Sequence, residues 1–244
     1  MNSTRKLWAG LVVLLIASFA VLLWVGSEIH RQAPPMPEQV VTTDGRVVYT
    51  RKDIETGRQV WQSIGGQQLG SIWGHGGYVA PDWGADWLHR EAEAILDLWA
   101  AREHGVDSYK ALDAPTQAAY ATRVQALIRP NTWDAATGTI TIDADRAAAM
   151  EKVAAHYVDL FGNDPATAEL REAYAMRNNT VPDAEHRRLM TGFFWWAAWS
   201  SITERPGQTI TYTANWPHDE LVGNTPPSNL LIWSVFSVLF LIAG

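Results

Sequence analysis

The chain has 244 residues, 47% of them hydrophobic, with 26 acidic and 19 basic side chains and no cysteine. The formal net charge of -7 argues against binding to nucleic acid or to anionic lipid headgroups, because phosphate groups are held by clustered Lys and Arg. The absence of cysteine excludes disulfides, thiolate metal sites and covalent haem attachment through a CxxCH motif.

The N-terminal segment predicts a membrane anchor over residues 1–26. Leu7–Val25 is an uncharged run of 19 residues. At about 1.5 Å per residue it can cross roughly 30 Å of hydrocarbon. A secretory signal is the alternative, but no small-residue cleavage site follows the run. Arg5 and Lys6 precede it, so the positive-inside rule places the N-terminus in the cytoplasm and the next segment in the periplasm of a Gram-negative cell.

The middle of the chain, residues 27–229, has the composition of a water-soluble domain, and it begins with a proline-rich linker at Gln32–Glu38. Two small β-hairpins are predicted, one turning at Asp44–Gly45 and one at Thr137–Gly138. Apolar periodicity, capping residues and prolines predict helices between and after the hairpins. These helices cover Lys52–Ser63, Asp86–His104, Thr116–Ile128, Asp143–Phe161 and Asp164–Met176. The predicted fold class is therefore mainly α.

A densely aromatic segment follows at Leu189–Ile202, with the sequence LMTGFFWWAAWSSI. Fourteen residues are too few to span a bilayer. We expect a helix buried in the core of the domain. A helix that lies against a membrane or a partner is the alternative.

The last segment, residues 230–244, predicts the start of a second transmembrane helix. Its fifteen residues carry no charge. At about 1.5 Å per residue they cover only some 22 Å, less than the hydrocarbon thickness. A helix that stopped there would leave its last carbonyl groups unpaired in lipid. We therefore expect the natural chain to continue past Gly244, as the front part of a larger membrane protein.

No catalytic machinery is visible in the sequence. The seven histidines form neither an HExxH motif nor another metal-ligand spacing. His75 stands out among them because glycines surround it. Two carboxylate pairs lie on helices of mixed charge and are predicted to be solvated. These pairs are Glu91 with Glu93, and Glu169 with Glu172.

The segment Trp61–Asp82 is the most unusual part of the chain, with six glycines, two tryptophans, a tyrosine and a histidine. Glycine permits positive φ and close approach of the backbone, while aromatic rings supply rigid surface. The pattern predicts an irregular loop folded around something, or a glycine-rich connector with aromatic anchors.

Two segments, Gly57–Ala92 and Asn178–Asn224, resemble the N-terminal extension of quinol-dependent nitric oxide reductases in the haem-copper oxidase superfamily. The resemblance implies a transmembrane helix and a haem-less, cytochrome-c-like periplasmic domain ahead of a catalytic helical bundle. The whole enzyme would reduce NO to N2O with electrons from membrane quinol. The whole enzyme would contain two haems b, a non-haem iron and calcium. The ligands of the haems and of the iron would lie beyond Gly244. This chain alone is therefore expected neither to be catalytic nor to bind a cofactor.

The same resemblance implies that the glycine-rich segment corresponds to a haem-binding loop in a related protein. Gly74–Asp82 is similar to the segment that follows the CxxCH haem motif in the small, cytochrome c component of the two-component reductase. Gly66 and Leu69 would then stand in the two cysteine places, and Gly70 in the place of the axial histidine. A calcium ion in that relative is bound partly by this loop, and the matching positions are Gly76 and Tyr78, through their backbone carbonyls.

The resemblance also implies the partners of the chain. They are the catalytic bundle of the same polypeptide, membrane quinol and the lipid bilayer of the bacterial inner membrane. A second copy of the chain, in a homodimer, is a further candidate partner. Trp73, Tyr78, Trp83 and the helix at Leu189–Ile202 are the expected contacts with the bundle. The alternative is a membrane-anchored periplasmic interaction domain without enzyme activity. The coding sequence beyond Gly244 would distinguish the two, because only a reductase continues into further membrane helices with histidines.

Overall fold

A computed structural model describes residues 2–74 and 76–243 of the chain. It divides into two compact units, Met1–Pro35 and Met36–Gly244. The first unit contains helix α1, Asn2–Gln32, whose apolar side chains are exposed along its length. Among the described residues, α1 is the one helix long and apolar enough to cross a membrane, over Thr4–Gln32. By length and composition this helix is suited to anchor the chain in a membrane.

A four-stranded sheet in the second unit joins the two predicted hairpins. Its strands are β1 Gln39–Thr42, β2 Val47–Thr50, β3 Trp133–Asp134 and β4 Thr139–Ile142. The strand order is β2-β1-β4-β3. Both hairpins are antiparallel, and β1 pairs in parallel with β4, with Val40 opposite Ile140. The sequence predicted each hairpin but not the pairing between them.

The helices of the second unit are α2 Arg51–Ser63, α3 Trp83–His104, α4 Ala114–Ile128, α5 Ala144–Leu160, α6 Ala168–Ala173, α7 Ala184–Ile202 and α8 Ser228–Ala243. The mainly α fold class is thus confirmed. Helix α3 begins a turn earlier than predicted, because the Asp82 side chain accepts a hydrogen bond from the Ala85 amide and caps it. The predicted helix Asp164–Met176 was too long, since the chain forms a 3-10 turn at Pro165–Thr167 and α6 ends at Ala173.

Helix α7 forms the centre of the core. Every residue from Met190 to Ile202 is buried. Gly57 of α2 allows close packing, since a Cβ atom there would lie 2.1 Å from the Leu189 carbonyl oxygen. The prediction of a core helix is confirmed. The expectation that α7 and Trp83 contact the catalytic bundle is wrong, because Trp83 and the aromatic side chains of α7 are enclosed by the domain itself.

An ion pair lies inside the core between α3 and α5. The Arg146 Nε donates to Glu91 Oε1 at 2.6 Å, and the two side chains are only 5% and 1% exposed. The Trp87 indole donates to the other oxygen of Glu91 at 2.7 Å. The prediction that Glu91 is solvated is therefore wrong, because its side chain is buried. Its ion pair with Arg146 makes that burial possible. Glu93 is half-buried beside Lys110, and Glu169 and Glu172 are exposed.

Helix α8 has no buried residue, and its side chains are mostly apolar. It has 16 residues, which at about 1.5 Å per residue is shorter than a bilayer core. The described part of this helix is therefore an apolar helix of less than spanning length.

Replacing Arg146 with Met should lower the free energy of unfolding by about 3–5 kcal/mol, because Glu91 would stay buried without a cation. The control is Arg46→Met, which removes the ion pair with Glu151, whose side chains are 52% and 60% exposed. The control should change that free energy by about 1 kcal/mol or less. Urea unfolding followed by tryptophan fluorescence measures both, and equal losses would contradict the role given to the buried pair.

Candidate functional site

The glycine-rich segment forms a loop closed at its base by backbone hydrogen bonds. After a 3-10 turn at Gly66–Gln68, the Ser71 amide donates to the Pro81 carbonyl at 3.1 Å. The Trp83 amide donates back to the Ser71 carbonyl at 2.9 Å. The two ends of the loop, residues 71–82, are therefore held together immediately before α3.

The carboxylate of Asp82 is the centre of this loop. Its Oδ2 accepts hydrogen bonds from the Ser71 hydroxyl and from the Gly74 amide, both at 2.7 Å. Its Oδ1 accepts from the Ala85 amide at 2.9 Å and so caps α3. The Ser71 oxygen accepts in turn from the Gly76 amide at 2.8 Å. The loop is thus folded around a buried side chain of its own.

The tip of the loop projects from the domain. The Gly77 amide donates to the Ala80 carbonyl at 2.8 Å, which makes a tight turn. At this turn the side chains of Tyr78 and Val79 are exposed. His75, which the sequence singled out, lies outside the described residues. The tip therefore presents an apolar surface, and the hydrogen bonds of Asp82 stabilise the part of the loop beneath it.

Two tryptophans attach the loop to the rest of the domain. The Trp73 indole donates to the Ala197 carbonyl of α7 at 3.0 Å, and its ring lies 5.2 Å from that of Trp196. The Trp216 indole donates to the Gly74 carbonyl at 3.0 Å. Trp73 has a φ of 54°, which is rare for a large side chain and is maintained by these contacts. These contacts attach the loop to α7 and to the segment that carries Trp216.

Two of the three positions matched to haem attachment, Leu69 and Gly70, lie against the Trp83 indole, whereas a Cβ atom at Gly66 would lie 3.8 Å from the Trp61 ring. Gly66 and Gly70 are buried, and Leu69 is half-buried. The Trp83 indole donates to the Leu69 carbonyl at 2.7 Å. A Cβ atom at Gly70 would lie 2.4 Å from Trp83 Nε1 and 2.5 Å from the Pro81 carbonyl oxygen. An imidazole at position 70 is therefore sterically excluded while Trp83 holds this place.

The two loop positions matched to a calcium site would each contribute a backbone carbonyl oxygen. Among the described residues, no group of three or more His, Cys, Asp or Glu side chains could hold a metal ion. Within the same residues, nothing donates a hydrogen bond to the carbonyl oxygens of Gly76 and Tyr78. These oxygens suit Ca²⁺, but two are a minority of the six to eight that the ion takes. A calcium ion here would need further ligands from another segment.

A cavity of about 850 Å³ lies beside the loop and beneath the first turns of α8. Its described lining residues are mostly aromatic and apolar, and none of them is Lys, Arg, Asp or Glu. The lining residues are Trp73, Tyr212, Thr213, Trp216, His218, Pro226, Pro227, Ser228, Leu230, Leu231 and Ser234. The ring Nδ1 of His218 lies 3.0 Å from the Asn224 carbonyl, so this nitrogen is the protonated one. The described lining suits an apolar or aromatic group.

Sequence reasoning missed two of these features. The role of Asp82 was detectable, since an Asp directly before an apolar-periodic segment is a common helix cap. The attachment by Trp216 was not, because Trp216 is 142 residues from its partner Gly74.

A comparison with family models places this domain among known proteins. Residues 37–218 match the model of the NorB cytochrome c-like domain of nitric oxide reductase. No curated protein matches the chain. The match covers the sheet, α2 to α7 and the Asp82 loop. The chain therefore belongs to the NorB family of nitric oxide reductases, through its cytochrome c-like domain.

Proposed function

We propose that the chain is the N-terminal structural portion of a quinol-dependent nitric oxide reductase. The full-length enzyme reduces two NO to N2O and water with electrons from membrane quinol. One observation carries the proposal: a cytochrome c-like domain of this family has no cysteine and packs Trp83 against Gly70. Such a domain cannot hold a covalently attached haem c, so electrons enter the enzyme by another route.

The domain then has a supporting role at the membrane. It lies on the periplasmic side of the bacterial inner membrane, and the N-terminus of α1 lies in the cytoplasm. Its contacts with the catalytic bundle of the same polypeptide include Tyr78 and the exposed part of Trp73. The exposure of Tyr78 and Val79 on a firmly held loop supports this assignment, because rigid apolar tips are suited to packing against a partner. The haem b and non-haem iron ligands lie outside this chain.

The electron donor is tested by NO consumption in the full-length protein that carries this chain. A reduced quinol should support loss of NO with formation of N2O, and reduced soluble cytochrome c should not, because the domain has no haem to receive its electrons. Turnover with cytochrome c at a rate similar to that with quinol would contradict the proposal. Absence of NO loss with either donor would favour an interaction domain without enzyme activity.

We further propose that the carbonyl oxygens of Gly76 and Tyr78 supply part of a calcium site in the full-length enzyme. The two oxygens receive no hydrogen bond from the described residues, which leaves them free to bind a hard cation. Gly76 has a φ of +82°, and a Cβ atom there would lie 3.0 Å from the Ala80 carbonyl oxygen. The substitution Gly76→Ala should therefore shift the carbonyl and lower the calcium content.

The matched control is Gly45→Ala. Gly45 also has a positive φ, +87°, but a Cβ atom there meets nothing within 4 Å. Calcium per protein, measured by elemental analysis after dialysis against a weak chelator, should fall in Gly76→Ala and stay unchanged in Gly45→Ala. Equal calcium in both variants and the unmodified enzyme would remove the loop from the site.

A further inference from the structure

Four oxidisable aromatic rings lie in contact inside the domain, and we call Trp83, Trp87, Tyr157 and Tyr174 the aromatic tetrad. The ring of Trp83 lies 5.9 Å from Tyr174 and 6.1 Å from Tyr157 between centroids. Tyr157 stacks on Trp87 at 5.3 Å with an angle of 5° between the planes. Only Tyr174 is partly exposed, while the other three are buried. The tetrad therefore has one end at the surface.

The buried tyrosine of the tetrad is hydrogen-bonded to a base. The Tyr157 hydroxyl donates to Asp86 Oδ2 at 2.6 Å, and the same oxygen accepts from Arg90 Nε at 2.8 Å. Burial, and then the nearby charge of Asp86, raise the pKa of Tyr157 well above its ordinary value. The phenol is therefore protonated at neutral pH and has a carboxylate in place to take its proton.

These features combine the two requirements for reversible tyrosine oxidation. An oxidised phenol is a strong acid, so its oxidation becomes easier when a hydrogen-bonded base accepts the proton. Electron tunnelling weakens steeply with distance, so rings in contact exchange electrons far better than separated ones. A short charge-assisted hydrogen bond in a buried site also fixes the geometry of proton transfer.

We propose that the aromatic tetrad is a one-electron relay in which Tyr157 holds the oxidised state. A one-electron oxidant, of the class of nitrogen dioxide or a ruthenium(III) polypyridyl complex, accepts an electron at Tyr174 and is reduced by one electron. That electron comes from Tyr157 through Trp83. The O–H bond of Tyr157 breaks, its proton moves to the Asp86 carboxylate, and a neutral tyrosyl radical remains. Return of an electron and the proton restores Tyr157.

The domain contains a matched tyrosine outside this relay. The Tyr120 hydroxyl donates to Glu103 Oε2 at 2.7 Å, and its ring lies 5.8 Å from Trp99. Trp99 has no ring contact with the tetrad among the described residues, and the Arg123 guanidinium lies 3.9 Å over its ring. A cation in that position opposes loss of an electron from Trp99. Tyr120 therefore resembles Tyr157 in being hydrogen-bonded to a carboxylate, but it has no ring contact with the tetrad among the described residues.

The test is photo-oxidation of the 244-residue chain in detergent micelles. A ruthenium(II) tris(bipyridine) sensitiser with persulfate generates the oxidant in a flash, and rapid freezing captures radicals for electron paramagnetic resonance. Ring-deuterated tyrosine distinguishes tyrosyl from tryptophanyl signals. Because the Tyr78 side chain is fully exposed and can be oxidised directly, all variants are made in a Tyr78→Phe background. In that background we expect a tyrosyl signal that falls in Tyr157→Phe, is kept in Tyr120→Phe and weakens in Asp86→Asn. Near-UV circular dichroism checks that each variant is folded.

A second variant leaves Tyr157 in place and interrupts the route. Tyr174→Leu, at the partly exposed end, should lower the yield of the Tyr157 radical without removing its hydroxyl or its carboxylate. An unchanged tyrosyl signal in Tyr157→Phe would overturn the proposal. So would an unchanged yield in Tyr174→Leu, or an equal loss in Tyr120→Phe.

Discussion

The close contact between Gly70 and the Trp83 indole is the constraint on which the rest of the domain depends. Trp83 is the first residue of α3, and Asp82 fixes that position by capping the helix and holding the loop. The indole then donates to the Leu69 carbonyl. Several large rings of the core pack around it, namely Tyr157, Phe161, Tyr174 and Phe194. One tryptophan thus joins the loop, α3, α5 and α7.

This arrangement explains how a cytochrome c-like domain without haem-attaching cysteines fills its core. A haem contributes a large apolar surface to the core of such a domain, and a fold that lacks one needs other groups to fill the interior. Here aromatic rings fill it, and the largest fully buried side chains include five tryptophans: Trp83, Trp87, Trp99, Trp195 and Trp199. The loop is closed at its base and has an exposed tip, which fits the supporting role proposed above.

Local features of the fold were predictable from the sequence, and contacts between distant segments were not. Hairpin turns, capping aspartates and the core helix α7 follow from residues that are neighbours in the chain. The burial of Glu91 depends on Arg146, 55 residues away, and a charged helix position by itself indicates solvent. In the loop, the glycines predicted a folded segment. That its centre is the Asp82 carboxylate follows only from the path of the backbone.

The free energy of unfolding of Gly70→Ala, compared with Gly105→Ala, tests the central contact most directly. Both glycines have positive φ, +84° and +69°, but a Cβ atom at Gly105 meets nothing within 4 Å. Both variants lose the conformational freedom of glycine, and Gly70→Ala must also displace the Trp83 indole. Urea unfolding should show that Gly70→Ala is less stable than Gly105→Ala by about 1–3 kcal/mol. Equal losses in the two variants would contradict the role given to the contact between Gly70 and Trp83.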